Sequence, residues 1–272
     1  MQVLAFASQK GGSGKTTLAG HIAVAADHAG GGPVALIDTD PQGSLSDWWN
    51  VRRAETPVFA APRIDQLADD IARLRDIGVA LLVIDTPPAI TEMIRRVVAL
   101  SDLVVIPTRP SPHDLRAAGA TVDIVEFLGK PLVFAVNGAT PRARITGEAA
   151  VALSQHGTVA PVTVHQRTDF AASMIDGRTV GEIDPKSRSA REIVELWQYL
   201  STRLQRHRPS VAGRSAVIPL PDPNASERDR LRPCAGATRP CQIRPAFRWG
   251  RPGSAPACWR ARASPARPSA GR

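Results

Sequence analysis

A loop near the start of the chain carries the residue types that bind phosphate. It contains three glycines and two lysines, and its sequence runs Gln9-Lys10-Gly11-Gly12-Ser13-Gly14-Lys15-Thr16-Thr17. The common phosphate-binding pattern is G-x-x-x-x-G-K-[ST]. Residues 14–16 fit that pattern, whereas Gln9 replaces its leading glycine and Lys10 adds a lysine before a glycine pair. This form, K-G-G-x-G-K-T, is far more selective than a lone glycine-rich run, and it predicts a bound nucleotide.

The segments on either side of the loop give it the required context. Residues 3–7 are a short apolar run that predicts a buried strand, and residues 17–26 are an alanine-rich run that predicts a helix. A strand, a glycine loop and a helix N-terminus aim backbone N–H groups and a helix dipole at one point, which suits phosphate. In that setting Lys15 reaches the β- and γ-phosphates and Thr16 ligates Mg²⁺. The alternative is a flexible glycine turn with solvated lysines, which the flanking elements disfavour.

Aspartates follow two further predicted strands. Residues 33–37 run into Asp38 and Asp40, and residues 79–84 run into Asp85. Ligands of an open parallel sheet collect outside the carboxyl ends of its strands, so these carboxylates are expected to face the nucleotide and its metal. The alternative is that each aspartate caps the helix or turn that follows it.

On four motifs the chain resembles the ParA-type partition ATPases of the ParA/MinD family: residues 10–17, 38–42, 83–88 and 104–112. The resemblance covers about residues 1–204 and is nearest to the small plasmid-type members. It implies an α/β P-loop NTPase with a mostly parallel twisted sheet and helices on both faces. The alternation of strand and helix signals down to residue 204 independently predicts such a sheet.

The resemblance also implies a role for each site residue. Lys15 is the main phosphate lysine, and Lys10 is the signature lysine that crosses a dimer interface to the partner's ATP. Asp40 positions the attacking water. Thr16 ligates Mg²⁺ directly, and Asp38 and Asp85 support the metal through water. The residues expected to bind the ATP cofactor are Gly11, Gly12, Ser13, Gly14, Lys15, Thr16, Thr17 and Asn137.

The resemblance implies further assignments for Gly11, Asn137 and a group of basic residues. Gly11 is expected where the protomers of an ATP-bound homodimer meet, so that a side chain there blocks the dimer. Asn137, after a predicted strand over residues 132–136, matches a position that contacts adenine, but it also suits a turn. The segments that resemble the family's surface for non-specific DNA contain basic residues, which are equally typical of an ordinary solvated surface: Arg167, Lys186, Arg188 and Arg191.

The charge of the chain is concentrated in its last quarter. Residues 205–272 contain 14 Arg, no Lys and 3 acidic residues, a net charge of +11 within a chain total of +9. Residues 1–204 therefore carry −2, and the basic pI does not argue for DNA binding by the ATPase domain. This tail also holds 11 of the 24 prolines, which predicts disorder. Three roles suit this tail. It could be an electrostatic arm for nucleic acid, in which Trp249 and Trp259 stack on bases, or a segment that binds a partner. The third is an accidental extension of the chain, and the composition favours this one.

The positions of the cysteines and the hydropathy of the chain narrow the class of protein further. The three cysteines, Cys234, Cys241 and Cys258, lie in the tail without the close pairs of a zinc site, and residues 1–204 have none for an iron–sulfur cluster. No signal peptide or membrane span is predicted. We therefore expect a cytoplasmic protein with no stable membrane anchor. Because the loop begins at residue 9, no N-terminal helix-turn-helix domain is expected.

The expected function is an ATP-dependent DNA-segregation switch. ATP closes a homodimer, the dimer binds non-specific DNA on the nucleoid, and a ParB-type centromere-binding partner stimulates a weak ATPase activity. Three alternatives remain: a MinD-like membrane-associated regulator, a relative that serves conjugation or the positioning of a large complex, and a nucleotide-binding scaffold without turnover. The prolines of the tail disfavour the amphipathic anchor of the first, and the three aspartates disfavour the last.

Overall fold

The computed structural model describes residues 1–61, 63–88 and 92–206. The predictions about the tail beyond Arg206, including its disorder, its tryptophans and its cysteines, fall outside the described residues. Within the described ranges no helix is long and apolar enough to cross a membrane.

A parallel β-sheet forms the centre of the protein. Its strands lie in the order β3-β2-β4-β1-β5-β6-β7, and β8 pairs with β6. All the pairings are parallel. The strand bounds are β1 Gln2–Phe6, β2 Val34–Asp38, β3 Val58–Phe59, β4 Leu81–Asp85, β5 Leu103–Thr108, β6 Leu132–Ala139, β7 Thr158–Val159 and β8 Val164–His165.

Helices connect the strands and cover the sheet. The first is α1, Lys15–His28, which starts inside the phosphate-loop motif, and the last is α9, Arg188–Arg206, which continues two residues past the predicted domain boundary. A 3-10 turn over Ile64–Gln66 precedes α3. The remaining helices are α2 Ser44–Asn50, α3 Leu67–Asp76, α4 Glu92–Leu100, α5 Pro112–Phe127, α6 Arg144–Ser154, α7 Thr168–Met174 and α8 Val180–Ile183.

Alternate residues of the strands pack into two separate cores. In β1, Leu4 and Phe6 join a cluster with side chains of α1, α2, α8 and α9, whereas Val3 and Ala5 join a cluster with side chains of α3 and α4. Because successive strand residues point to opposite faces, both faces of the sheet are buried under helices. The predicted doubly covered parallel sheet is therefore confirmed.

The sheet register brings the predicted site strands together. Asp85 at the end of β4 pairs with Asp38 of β2 on one side and with Phe6 of β1 on the other. Because β1 ends at Phe6, the chain enters the phosphate loop next to Asp85, and Asp38 lies one strand further along the sheet. One boundary prediction is wrong: Asn137 lies inside β6 and not after it, because β8 pairs with Asn137 and Ala139 and lengthens the strand. A turn role for Asn137 is thereby excluded.

Candidate functional site

The phosphate loop forms one wall of an open cavity of about 680 Å³ at the carboxyl ends of the strands. The wall includes six residues that the sequence assigned to the nucleotide, namely Gly11, Gly12, Gly14, Lys15, Thr16 and Thr17. Gly12 and Gly14 have φ of 72° and 97°, in the left-handed region that glycine adopts without strain. The sequence thus placed glycines where the loop has to bend around its ligand.

Lys15 is buried at the base of this cavity. Only 6 % of the residue is exposed, and its Nζ lies 3.4 Å from the carbonyl oxygen of Lys10. Burial lowers the pKa of the Lys15 ammonium, while the nearby carboxylates of Asp85 and Asp40 oppose that shift. A buried ammonium needs negative partners. The surroundings of Lys15 therefore suit a phosphate group in the cavity.

Asp85 and Thr16 form the part of the site that suits a metal ion. The Thr16 hydroxyl donates to Asp85 Oδ2 at 2.5 Å, and the backbone N–H of Thr86 donates to Oδ1 at 3.0 Å. Burial raises the pKa of Asp85 to about 7; the Thr16 bond opposes this rise, and the neighbouring Asp38 carboxylate adds to it. A cation beside this buried carboxyl would favour its ionised form.

The donor set fits Mg²⁺ in particular. Among the described residues no group of three or more His, Cys, Asp or Glu side chains is arranged to hold a metal ion. Mg²⁺ does not need such a group, since it is typically held by one or two protein oxygens together with phosphates and waters. Thr16 and Asp85 place hard oxygen atoms of that kind beside the phosphate loop, and the water-mediated role of Asp85 stays a prediction.

Both carboxylate oxygens of Asp38 accept hydrogen bonds from backbone N–H groups. Its Oδ2 accepts from the N–H groups of Leu45 and Ser46, in the first turn of α2, at 3.0 and 3.1 Å. Its Oδ1 accepts from the Asp40 N–H at 2.9 Å. These are the contacts of a helix-capping carboxylate, the alternative that the sequence left open. Asp38 thus fixes the segment that carries Asp40, and its water-mediated role toward the metal stays a prediction.

Asp40 reaches the cavity from that fixed segment. The residue is half-buried and belongs to the cavity wall, and its Oδ1 accepts from the Gln42 N–H at 3.0 Å. Its Oδ2 makes no hydrogen bond with the described part of the chain. One carboxylate oxygen is therefore available to a water molecule or ligand in the cavity.

Lys10 and Gly11 lie in the first half of the loop, where Gly11 is part of the cavity wall. Both are exposed. The Lys10 ammonium has no ion pair or hydrogen bond with any residue described here, and Lys10 is not part of the cavity wall. Among the described residues, a Cβ on Gly11 would meet only Pro88 Cβ, at 3.9 Å. These residues therefore leave room for a Cβ at position 11.

Asn137 lies against the loop from the β6 side. Its Nδ2 donates to the Ser13 carbonyl oxygen at 2.7 Å. The structure thus brings Asn137 to the phosphate-binding backbone, a contact that could not be predicted from residue spacing.

Several cavity residues carried no assigned role in the sequence analysis. Arg109 follows β5, the neighbour of β1, and its guanidinium would lie 3.8 Å from a Cβ on Gly12. Its position at a strand end beside the loop was the available signal. The opposite wall is partly apolar and brings together residues of α2 and the end of α7, which no local pattern connects: Trp48, Val51, Met174 and Ile175.

The four predicted DNA residues divide into two kinds. The guanidinium of Arg167 donates to both oxygens of Glu192 at 2.7 Å, and that pairing raises the pKa of Arg167. Lys186, Arg188 and Arg191 are exposed, at and before the start of α9, and none forms an ion pair with the described residues. The charge of Arg167 is thus already partnered within the chain, while the other three charges face solvent.

Comparison with known proteins agrees with this geometry. Residues 4–211 match the family model described as CobQ/CobB/MinD/ParA nucleotide binding domain. A relative in Halothiobacillus neapolitanus, maintenance of carboxysome distribution protein A, is 28 % identical over 200 residues, which span 70 % of this chain and 91 % of the relative. Protein ParA of Rhizobium radiobacter is 30 % identical over 128 residues, 46 % of this chain and 56 % of that protein.

A solved structure shares the fold. The septum site-determining protein MinD of Pyrococcus horikoshii OT3, complexed with Mg-ADP, superimposes with a TM-score of 0.63 at 15 % identity, covering 76 % of this chain and 98 % of MinD. The parallel sheet, the phosphate loop and the match over residues 4–211 lead to one assignment: the chain belongs to the CobQ/CobB/MinD/ParA family of nucleotide-binding domains and is a ParA/MinD-type ATPase.

Proposed function

We propose that this chain is an ATP-dependent DNA-segregation ATPase whose ATP-bound form is a homodimer on non-specific DNA. The observation that carries the proposal is the separation of the two loop lysines. Lys15 is buried in its own cavity, whereas the ammonium of Lys10, five residues earlier, faces solvent outside that cavity. A lysine placed in this way is available to the nucleotide of a second protomer.

ATP with Mg²⁺ is the proposed cofactor pair. Lys15 and the N–H groups of the loop hold the phosphates, and Thr16 and Asp85 offer oxygens to the metal. Bound Mg²⁺ neutralises negative charge on the phosphates and orients them. Asp40, with one oxygen tied to Gln42 N–H and the other free toward the cavity, orients the attacking water. Hydrolysis depends on this positioning, since phosphoryl transfer asks for little covalent chemistry from the protein.

The exposed basic residues of the α9 start are the proposed DNA contacts. Lys186, Arg188 and Arg191 present unpaired charges on one short stretch, as phosphate binding requires. Arg167 contributes indirectly, because its bidentate bond to Glu192 links the start of α7 to α9. Two basic patches, one from each protomer of a dimer, bind a DNA backbone more tightly than one. DNA binding that follows ATP-driven dimerisation would place the protein on the nucleoid.

A ParB-type centromere-binding protein is the proposed partner that stimulates hydrolysis. The relative in Halothiobacillus neapolitanus, which is named for carboxysome distribution, favours a second candidate function in which the same ATPase positions a large protein assembly. The two functions share the nucleotide switch and differ in the partner. Hydrolysis measured with the protein encoded beside this gene, with and without DNA that carries that protein's binding site, distinguishes them.

Co-sedimentation with plasmid DNA tests the proposal. We expect DNA binding with ATP and Mg²⁺, little binding with ADP or without nucleotide, and loss of binding as the salt concentration rises. The double variant Arg188→Ala/Arg191→Ala should bind several-fold more weakly. Its matched control is Arg75→Ala/Arg95→Ala, which removes the same charge from exposed positions on α3 and α4. DNA binding that is equally strong with ATP and with ADP would refute the switch.

A further inference from the structure

The side-chain amide of Asn137 contacts the phosphate loop itself. Its Nδ2 donates to the Ser13 carbonyl oxygen at 2.7 Å, across 124 residues of sequence. A Cβ placed on Gly14 would lie 2.1 Å from the same nitrogen, so the amide and the loop backbone are in close contact. We infer that Asn137 is a positioning residue that holds the Ser13–Gly14 peptide in its phosphate-binding orientation, a role that rests on the proposed ATPase function.

The geometry of the peptide unit explains how this bond would act. In a planar trans peptide the C=O and the N–H point in opposite directions. Drawing the Ser13 carbonyl toward Asn137 therefore turns the Gly14 N–H away from Asn137. Gly14 lines the cavity, whereas Ser13 and Asn137 are not among the described residues that line it. The bond thus aims a backbone donor away from the strand and toward the side on which the cavity lies.

The loop needs such an external hold because glycine does not fix its own conformation. Gly14 has φ 97° and ψ 23° and lies between Gly12 and the first turn of α1. Glycine populates positive and negative φ about equally, so a glycine-rich loop has several accessible peptide orientations. The Asn137 bond selects one of them before any ligand binds. If this bond were lost, the ligand would have to fix the loop conformation as it binds, and its affinity would be lower.

Asn137 is suited to this task because its own backbone is fixed. It lies in β6, which pairs with β5 on one side and with β8 at Asn137 itself. Strand residues hold a side chain more precisely than loop residues do. Gly14 is constrained from the same direction, since any side chain there would collide with the amide. The loop and β6 are therefore fitted to each other at this point.

This role differs in its consequences from adenine recognition, the role that the family resemblance implies for Asn137. A residue that contacts the adenine base affects the affinity for ATP and does not affect the affinity for a ligand that has no base. A residue that holds the loop affects every ligand that has the triphosphate. Inorganic tripolyphosphate, which has the phosphates and no base, separates the two roles.

The test is titration calorimetry of ATP, GTP and tripolyphosphate, each with Mg²⁺, on the full-length protein and its variants. Asn137→Ala should weaken all three ligands by about fivefold, the equivalent of one neutral hydrogen bond. Asn137→Asp should weaken them further, because a carboxylate would face the Ser13 carbonyl. Asn137→Ser serves if the alanine variant does not fold, as judged by thermal denaturation. Thr140→Ala, at an exposed position near the end of the same strand, is the control and should change nothing.

The outcomes separate this inference from the function on which it rests. A similar loss for the three ligands supports the positioning role. Wild-type affinity of Asn137→Ala for tripolyphosphate, with weaker binding of ATP alone, would overturn it and return Asn137 to base recognition. Failure of the wild-type protein to bind ATP and tripolyphosphate would instead refute the proposed function, and the inference with it.

Discussion

The two halves of the phosphate loop differ in how firmly the rest of the chain holds them. In the half from Ser13 to Thr17, two residues have side-chain or backbone partners elsewhere in the fold, Ser13 with Asn137 and Thr16 with Asp85, and Thr17 is bound to His21 within α1. In the half from Gln9 to Gly12 all four residues are exposed, although the Gln9 N–H donates to Thr121 Oγ1 at 3.2 Å. The second half is thus partly buried and bound within the protomer, whereas the exposed Lys10 ammonium of the first half is left for contacts that the described residues do not supply.

The largest expected effect comes from substituting Lys15, which lies in the anchored half of the loop (Ser13–Thr17). Among the described residues of the cavity wall, Lys15 is the buried cation, so Lys15→Ala should lower ATP affinity by about 100-fold or more, as expected for loss of charge-assisted hydrogen bonds. Equilibrium binding of a fluorescent ATP analogue measures this. Lys130→Ala is the matched control, because Lys130 Nζ also binds a backbone carbonyl, that of Ser101 at 3.0 Å, at the opposite end of the strands. Retained ATP binding by Lys15→Ala would refute the assignment of the loop.

Two variants should bind ATP and fail to hydrolyse it: Lys10→Ala in the exposed half of the loop and Asp40→Ala in the cavity wall. Lys10→Ala should keep ATP affinity near wild type and lower turnover by at least about tenfold, since it removes one positive charge from the transition state. Asp40→Ala should also bind ATP, and its turnover should fall by about 100-fold because it loses the group that orients water. Asp47→Ala, an exposed carboxylate in the same cavity wall, is the control for Asp40.

Mixing these two inactive proteins tests whether Lys10 acts across the dimer. In a mixed dimer the Lys10→Ala protomer keeps its own Asp40 and receives Lys10 from its Asp40→Ala partner. Half of the randomly formed dimers are mixed and one of their two sites is complete, so turnover should recover to about a quarter of wild type. No recovery, in a mixture shown to form mixed dimers, would mean that Lys10 acts on the nucleotide of its own chain.

Adding a side chain at Gly11 also tests the exposed half of the loop, and its expected effect is smaller. The described residues leave room for its Cβ, and φ of Gly11 is not in the left-handed region, so Gly11→Val should fold and bind ATP. It should nevertheless weaken ATP-dependent dimerisation, measured by analytical ultracentrifugation, by about tenfold through overpacking at the interface. Gly11→Ala should have a smaller effect in the same direction. Wild-type dimerisation by the valine variant would place the interface elsewhere.

A pH dependence of stability is expected through His21, whose Nδ1 contacts the Thr17 carbonyl of the anchored half. His21 Nδ1–H donates to the Thr17 carbonyl at 2.7 Å, and Nε2 accepts from the Val180 N–H at 3.2 Å, so the buried ring is neutral. Burial lowers its pKa from 6.5 to about 4. The unfolded state therefore binds the proton first as the pH falls, and the free energy of unfolding should drop between about pH 6.5 and 4, by at most about 3 kcal/mol.

Urea denaturation at a series of pH values measures this dependence. His21→Asn should lower stability at pH 7 and flatten the slope in that window. His28→Asn, at an exposed position on the same helix, is the control and should retain the slope. A slope that is unchanged in His21→Asn would assign the pH dependence to other groups.

Much of the fold and of the site chemistry could be predicted from the sequence. The apolar runs predicted β1, β2, β4 and β6 but not the two-residue strands β3, β7 and β8, and the glycines and lysines of residues 10–17 predicted the phosphate loop, because these signals are local. The aspartates at the ends of β2 and β4 were expected near the loop for a topological reason. The carboxyl ends of parallel strands share one edge of the sheet.

The contacts between distant segments could not be predicted. Arg167 carries the same charge as Arg188 in the sequence, yet only Arg167 is bound to Glu192. Asp38 has the residue type and position of a metal-site carboxylate, yet its oxygens are taken by backbone N–H groups of its own segment and of α2. In both cases the residue type is fixed locally, and its partner depends on how the helices pack.

By itself, the sequence determined the chemistry that this chain offers: a loop for phosphate, oxygens for a metal ion and a second lysine. Only the tertiary structure decided how that chemistry is divided. It buried Lys15 beside Asp85 and left Lys10 exposed, and it brought Asn137 from β6 onto the Ser13 carbonyl. The physical reason is that burial and hydrogen-bond partners are set by residues that pack from elsewhere in the chain, whereas residue type and spacing are set along it.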